Sequence, residues 1–198
     1  MTGRVAQKER TRTAIVAAAR ELADTGGEVT MPAVAAAARV SEATAYRYFP
    51  DLVSLLGEAI RREGAAEALA AVAGSDDPVA RVAAAAEVLA RDVLRRRGAV
   101  RAVLAGVITR PEVAGLRPGY RFELLEVALA PWWGRVDDLV QDLAVVVSAE
   151  AVLTLLDLCH LDDEATVAGI VRPARTLTRA AFASREARSA GHGGPGAC

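Results

Sequence analysis

Aromatic residues make up only 4% of this 198-residue chain, so alanine, leucine and valine must fill any interior. With hydrophobic residues at 53%, that composition favours helices, because alanine and leucine are the strongest helix formers. Cysteine is nearly absent. Cys159 and Cys198 are widely separated, which gives neither a disulfide framework nor metal-ligand spacing. No apolar stretch follows the basic N-terminal residues, so no signal peptide is expected. The longest apolar run, Leu143 to Leu156, contains Glu150 and is too short and too polar to suggest a membrane span. A soluble cytoplasmic protein is the expectation. Also missing are β-alternation, internal repeats, a Gly-rich phosphate loop and any nucleophile–base–orienter set, so an enzyme is not expected. No cofactor is implied. Cys159 and His160 are adjacent but have no further ligands nearby, so no metal site is expected.

Charge of one sign is missing as well. The net charge is −1, so any attraction to a polyanion must be local. Residues 1–49 carry +2, leaving −3 for the remainder, and Arg4, Lys8, Arg10 and Arg12 read as a basic arm.

The punctuation of the chain predicts about nine helices. The first spans 7–25, with Ala14, Ile15, Ala18, Ala19 and Leu22 at helical spacing and Gly26-Gly27 as the stop. Thr30 caps a helix to about 38, with Pro32 in its first turn, and Ser41 caps another over 42–48. Pro50 stops that helix and Asp51 caps a long one over 52–73. Others follow over 78–97, 99–109 and 120–130. The segment 110–119 reads as a loop. Two long final helices are expected, 136–159 and 163–184, with Asp162 or Asp163 as the cap between them. Pro173 falls inside the last and predicts a bend. Residues 186–198 read as a disordered tail.

Against this background, three aromatics and an arginine crowd into Tyr46 to Phe49. The helices 33–38 and 42–48, joined by a tight turn, have the form of a helix-turn-helix. On the second, Ala45 and Phe49 lie four apart on one face and should point inward. Thr44, Arg47 and Tyr48 then lie opposite, with Tyr46 on the flank. A hydroxyl, a guanidinium and phenols can all meet phosphates or base edges. Ser41 would leave helix-terminal N–H groups suited to phosphate.

The stretch "TRTAIVAAARELADTGGEVTMPAVAAAARVSEATAYRYFPDLVSLL" resembles the DNA-binding domain of the TetR family of transcriptional regulators. The resemblance covers about residues 8–60 and rests on the long first helix, the run from Thr30 to Phe49 and the leucines after it. It implies an all-α protein with an N-terminal three-helix helix-turn-helix DNA-binding domain, residues 1–50. A larger helical ligand-binding and dimerisation domain, residues 51–185, follows. The candidate DNA-binding residues are Arg12, Thr30, Ser41, Glu42, Ala43, Thr44, Tyr46, Arg47 and Tyr48. Three positions depart from the family pattern. Arg39 stands where the turn often has glycine, and Leu52 where a lysine often meets phosphate. Glu42 opens the recognition helix, where it would repel phosphate or accept from a cytosine amino group.

Beyond the motif the reading is coarser. The resemblance implies a homodimer through the last two long helices, binding a double-stranded, near-palindromic operator. It also implies a small-molecule effector that releases the repressor. The expected cavity is mainly apolar and suits an apolar or aromatic ligand, with Leu104, Ile108, Phe122, Leu125, Trp132, Trp133, Glu150 and Leu153 as candidate lining. Of the adjacent tryptophans, one should pack and the other line a cavity or interface. Glu150, on an apolar helix, needs a partner such as an arginine. Two alternatives are a helical interaction protein with a decayed DNA-binding surface and an all-α enzyme using the C-terminal cavity.

Overall fold

The computed structural model describes residues 2–110, 119–134 and 136–191. Among them are eleven α-helices, two short 3-10 turns and no strand. The expected loop over 110–119 lies largely outside the described residues. The chain divides into two compact units, Met1–Glu63 with Asp92–Gly119, and Gly64–Arg91 with Tyr120–Cys198.

The first unit holds α1 (Thr2–Asp24), α2 (Met31–Ala37), α3 (Glu42–Tyr48), α4 (Leu52–Ala59) and α7 (Arg97–Thr109). It also holds the end of α6 (Pro78–Arg95). α1 begins earlier than its hydrophobic periodicity suggests, so the basic residues expected as an arm belong to a helix. α1 packs on α2 and α4, α2 on α3, and α4 on α7. The core between them contains Ile15, Ala19, Val34, Ala45, Leu55 and Leu56, each 0% exposed. Burying each large aliphatic side chain contributes about 1.5–3 kcal/mol, which is what holds helices too short to stand alone.

Two polar ties close the unit. Arg96, buried at 3% exposure, donates to Asp24 at 2.6 Å and to the Ile60 carbonyl at 3.3 Å. Gly98 is required by a close approach, since a Cβ there would lie 2.1 Å from the carbonyl oxygen of Gly27.

The second unit holds α5 (Ala65–Ala68), most of α6, α8 (Tyr120–Leu129), α9 (Asp137–Val146), α10 (Ala149–Asp157) and α11 (Asp163–Gly191). α11 packs on α9 and α10, while α8 packs on α5 and α9. The most deeply buried side chains include Leu124, Leu125, Leu129, Leu143 and Ile170.

Three expectations are corrected. The helix predicted over 52–73 ends at Ala59 and restarts at Ala65. Gly64 between them adopts φ +85°, a left-handed conformation that glycine takes without steric cost. The helix predicted over 136–159 is two helices, broken at Val147–Ser148. Ser148 is extended and its hydroxyl accepts from the Ala151 N–H at 3.0 Å, which makes it the N-cap of α10. Last, α11 continues to Gly191, so residues 186–191 are helical where a disordered tail was expected. Residues 192–198 lie outside the described residues. α11 runs on through Pro173, and Asp162 caps it by accepting from the Ala165 N–H at 2.8 Å.

By length and composition the stretch Asp137–Asp157 would suffice to cross a membrane, longer than the apolar run alone suggests. The Ser148 cap divides that stretch into two short helices.

Candidate nucleic-acid interface

The site is built from α2, a tight turn and α3. Thr30 opens α2 in extended conformation, and its hydroxyl accepts from the Ala33 N–H at 3.4 Å. Pro32 sits in the first turn, where its missing N–H leaves no bond unmade. At the far end the Arg39 N–H donates to the Ala36 carbonyl at 3.1 Å, and the Val40 N–H to the Ala35 carbonyl at 3.0 Å. That pair of bonds is a Schellman motif, which satisfies carbonyls the helix end would otherwise leave open. The motif needs a left-handed residue after the helix, and Arg39 supplies it at φ +56°.

Ser41 then starts α3. Its hydroxyl accepts from the Thr44 N–H at 3.2 Å and lies 2.9 Å from the Thr44 hydroxyl. Ala45 is 0% exposed and Phe49 is 4% exposed, so the inward face is the one the sequence predicts. Glu42, Ala43, Tyr46 and Arg47 are exposed, while Thr44 and Tyr48 are half-buried. The Arg47 guanidinium lies over the Tyr48 ring, 5.7 Å from its centroid. Such stacking orients a flexible cation at an exposed site. The outward row of α3 therefore offers a hydroxyl, two phenols, a guanidinium and a carboxylate.

α4 anchors this row. Asp51 caps α4, accepting from the Ser54 N–H at 2.8 Å, and its other oxygen accepts from Arg110 at 2.9 Å. The Arg110 bond, followed by the bond from Ser54, holds the Asp51 carboxyl below its ordinary pKa. Leu52 is half-buried in the first turn of α4 and provides no cation there.

One candidate DNA-binding residue has partners within the protein. Arg12 donates through both terminal nitrogens to the Glu58 carboxylate and lies 5.0 Å from the centroid of the Phe49 ring. Its guanidinium braces α1 against α4 and the end of α3. Sequence reading missed this because the partners are far away along the chain.

The candidate effector residues are divided between the two units. Leu104 and Ile108 belong to the first unit, and the other six to the second. Ile108 is 76% exposed, whereas Leu125 is 0% exposed, a core residue. Trp132 is half-buried and packs edge-on against Phe182 with centroids 5.4 Å apart, while Trp133 is exposed. Phe122 is exposed and Leu153 half-buried. Glu150 has the arginine partner its setting calls for, Arg121 at 3.4 Å. Two of the cavities, one at Arg20 and Arg61 in the first unit and one at Asp138 and Asp142 in the second, are lined by other residues. Among the described residues no group of three potential metal ligands occurs.

Two capped helices joined by a Schellman turn, the second presenting polar side chains outward, define a helix-turn-helix DNA-binding domain. Residues 14–59, from α1 to the end of α4, match the family model described as bacterial regulatory proteins, tetR family. The match is confined to this N-terminal segment, and it supports a DNA-binding transcriptional regulator. Family members are transcription regulators and not enzymes. Searches of curated proteins and of solved structures gave no significant match.

Proposed function

We propose that the chain is a homodimeric, ligand-responsive repressor that reads a near-palindromic operator with α3. The observation that carries the reading is the division of α3 into a buried Ala45–Phe49 face and an outward row containing Thr44, Tyr46 and Arg47. Base edges in the major groove are met by Tyr46, Arg47 and Thr44, with Glu42 and Ala43 at the entering end. Thr30, Ser41 and Tyr48 meet the phosphates beside it. In functional terms residues 1–50 bind DNA and residues 51–185 carry effector binding and dimerisation. A regulator of this kind works in the cytoplasm, where the DNA is.

Support for the dimer comes from the apolar stretch Asp137–Asp157, which has mean hydropathy 1.9 but is only 28% buried within the chain. Val145 is 72% exposed and Leu158 is 76% exposed. Uncovered apolar area of this kind marks an interaction surface, and a second copy brings the same surface to cover it. Two α3 helices then enter successive major grooves about 34–36 Å apart. The effector is an apolar or aromatic small molecule held by the second unit, a role to which exposed Phe122 and Trp133 are suited. It releases DNA by favouring a dimer of the wrong recognition-helix spacing, by no more than its differential affinity for the two states.

The test is equilibrium binding to the DNA upstream of the protein's own gene and to a shuffled fragment. Wild type should prefer the upstream fragment. Arg47→Ala and Tyr46→Phe should each lose about tenfold on it, the worth of one good base or phosphate contact. Equal affinity for both fragments, with no effect of either variant, would exclude α3 as a reader and leave a helical protein with a decayed DNA surface.

A further inference from the structure

The far end of α4 carries a charge arrangement that the DNA-facing row does not use. Within the first unit Val16, Arg20, Glu58, Arg61, Arg62, Glu63 and Arg96 line a cavity of about 510 Å³. That volume is in the range of small-molecule sites, about 300–1,000 Å³.

The lining cations are of two kinds. Arg96 and Arg62 are engaged by carboxylates, Arg96 with Asp24 at 2.6 Å and Arg62 with Asp92 at 3.6 Å. Glu58 is already taken by Arg12. Arg20 donates its Nε to the Ala59 carbonyl at 3.0 Å, which fixes the guanidinium, and has no carboxylate partner among the described residues. The exposed Arg61 side chain has no hydrogen bond or ion pair among the described residues. Among the residues that line the cavity, four arginines (20, 61, 62 and 96) face two carboxylates (Glu58 and Glu63).

We propose that this cavity binds a compact small polyanion, of the phosphate-ester or polycarboxylate class, through the guanidinium groups of Arg20 and Arg61. Guanidinium forks match carboxylate and phosphate oxygens, and burying part of the anion against Val16 strengthens the attraction. No lining residue is aromatic, so nothing is provided to stack a nucleobase. DNA phosphate has the same chemistry but a different place. An α-helix rises about 1.5 Å per residue, so the end of α4 lies about 10 Å from its first turn beside α3. The ligand is therefore a free anion. The proposal stands independently of how α3 reads DNA.

The test is calorimetric titration of the full chain, without DNA, using inorganic pyrophosphate and separately citrate at physiological ionic strength. Arg61→Gln and Arg20→Gln are compared with Arg47→Gln, which removes the same charge from α3. Saturable binding of at least one probe is expected, weakened about tenfold or more by each cavity variant and unchanged in Arg47→Gln. Arg61 is exposed and unpartnered, so Arg61→Gln keeps the test valid should Arg20→Gln fold poorly. Absence of saturable binding by either probe would overturn the proposal, as would an equal loss in Arg47→Gln. If neither probe binds but Arg61→Gln weakens DNA binding as Arg47→Gln does, the cavity serves the DNA backbone and the proposal fails.

Discussion

Arg39 holds the turn between α2 and α3 in a left-handed conformation at φ +56°, which costs a residue with a Cβ about 1 kcal/mol relative to glycine. Arg39→Gly should therefore stabilise the first unit by about that amount, read as a higher denaturant midpoint. An unchanged or lower midpoint would show that the side chain compensates for its own backbone. This position was legible in sequence because the Schellman turn is local. Arg81 was not. It is 5% exposed and donates to the carbonyls of Ala73 at 2.6 Å, Ala128 at 2.6 Å and Val127 at 2.8 Å, all within the second unit. Those acceptors close the end of α8 and the turn after α5, where unpaired carbonyls carry partial negative charge. A periodicity reading takes such an arginine for a solvated one, since its acceptors come from distant segments. Arg81→Met should cost about 3–5 kcal/mol in urea unfolding, because several buried carbonyls lose their donor together. A cost below about 1 kcal/mol would mean that water replaces the guanidinium.

Among the elements, the short helices were the readable ones. α2, α3 and α4 are each opened by an N-cap at the position the sequence marks, Thr30, Ser41 and Asp51. Caps are chemistry between neighbours and need no knowledge of the fold. The long helices were misjudged, because hydrophobic periodicity persists across both breaks. Gly64 and Ser148 were the available signals, one through its backbone freedom and the other as a cap three residues before Ala151. Asp51 also links α4 to Arg110 beyond the end of α7, and that pairing yields a pH prediction. Its carboxyl is held below the ordinary value, chiefly by Arg110, so the charged form is favoured in the folded state. The stabilisation is present above the ordinary aspartate pKa of 3.8 and is lost as pH falls through the lower, folded-state value. Asparagine caps a helix as well as aspartate, so Asp51→Asn removes the ion pair and keeps the cap. Its stability deficit should be modest, about 1 kcal/mol or less for a partly exposed pair, and present at neutral pH. The deficit should shrink toward zero in acid. A deficit that is the same at pH 3 and pH 7 would contradict the assignment to Arg110.

For the whole molecule, the all-α class followed from alanine-rich composition and capped periodic segments, and the DNA-binding domain followed from one compact motif. The unit to which each candidate effector residue belongs was not legible in the same way. Leu104 and Ile108 are apolar and helical like the other candidates, yet belong to the first unit, where α7 packs on α4. Chain order alone does not tell which unit a helix joins. The partners of Arg12 were hidden for a related reason, since a basic residue near the N-terminus gives no local sign that it will meet Glu58 and Phe49. The central claim is that α3 reads a specific DNA site, and footprinting the purified chain on its own upstream DNA across a salt series tests it most directly. The account predicts protection of two half-sites about one helical turn apart, with affinity falling steeply as salt rises, a slope of about −0.9 per phosphate neutralised. Uniform, unlocalised protection along the fragment, or binding indifferent to salt, would contradict it.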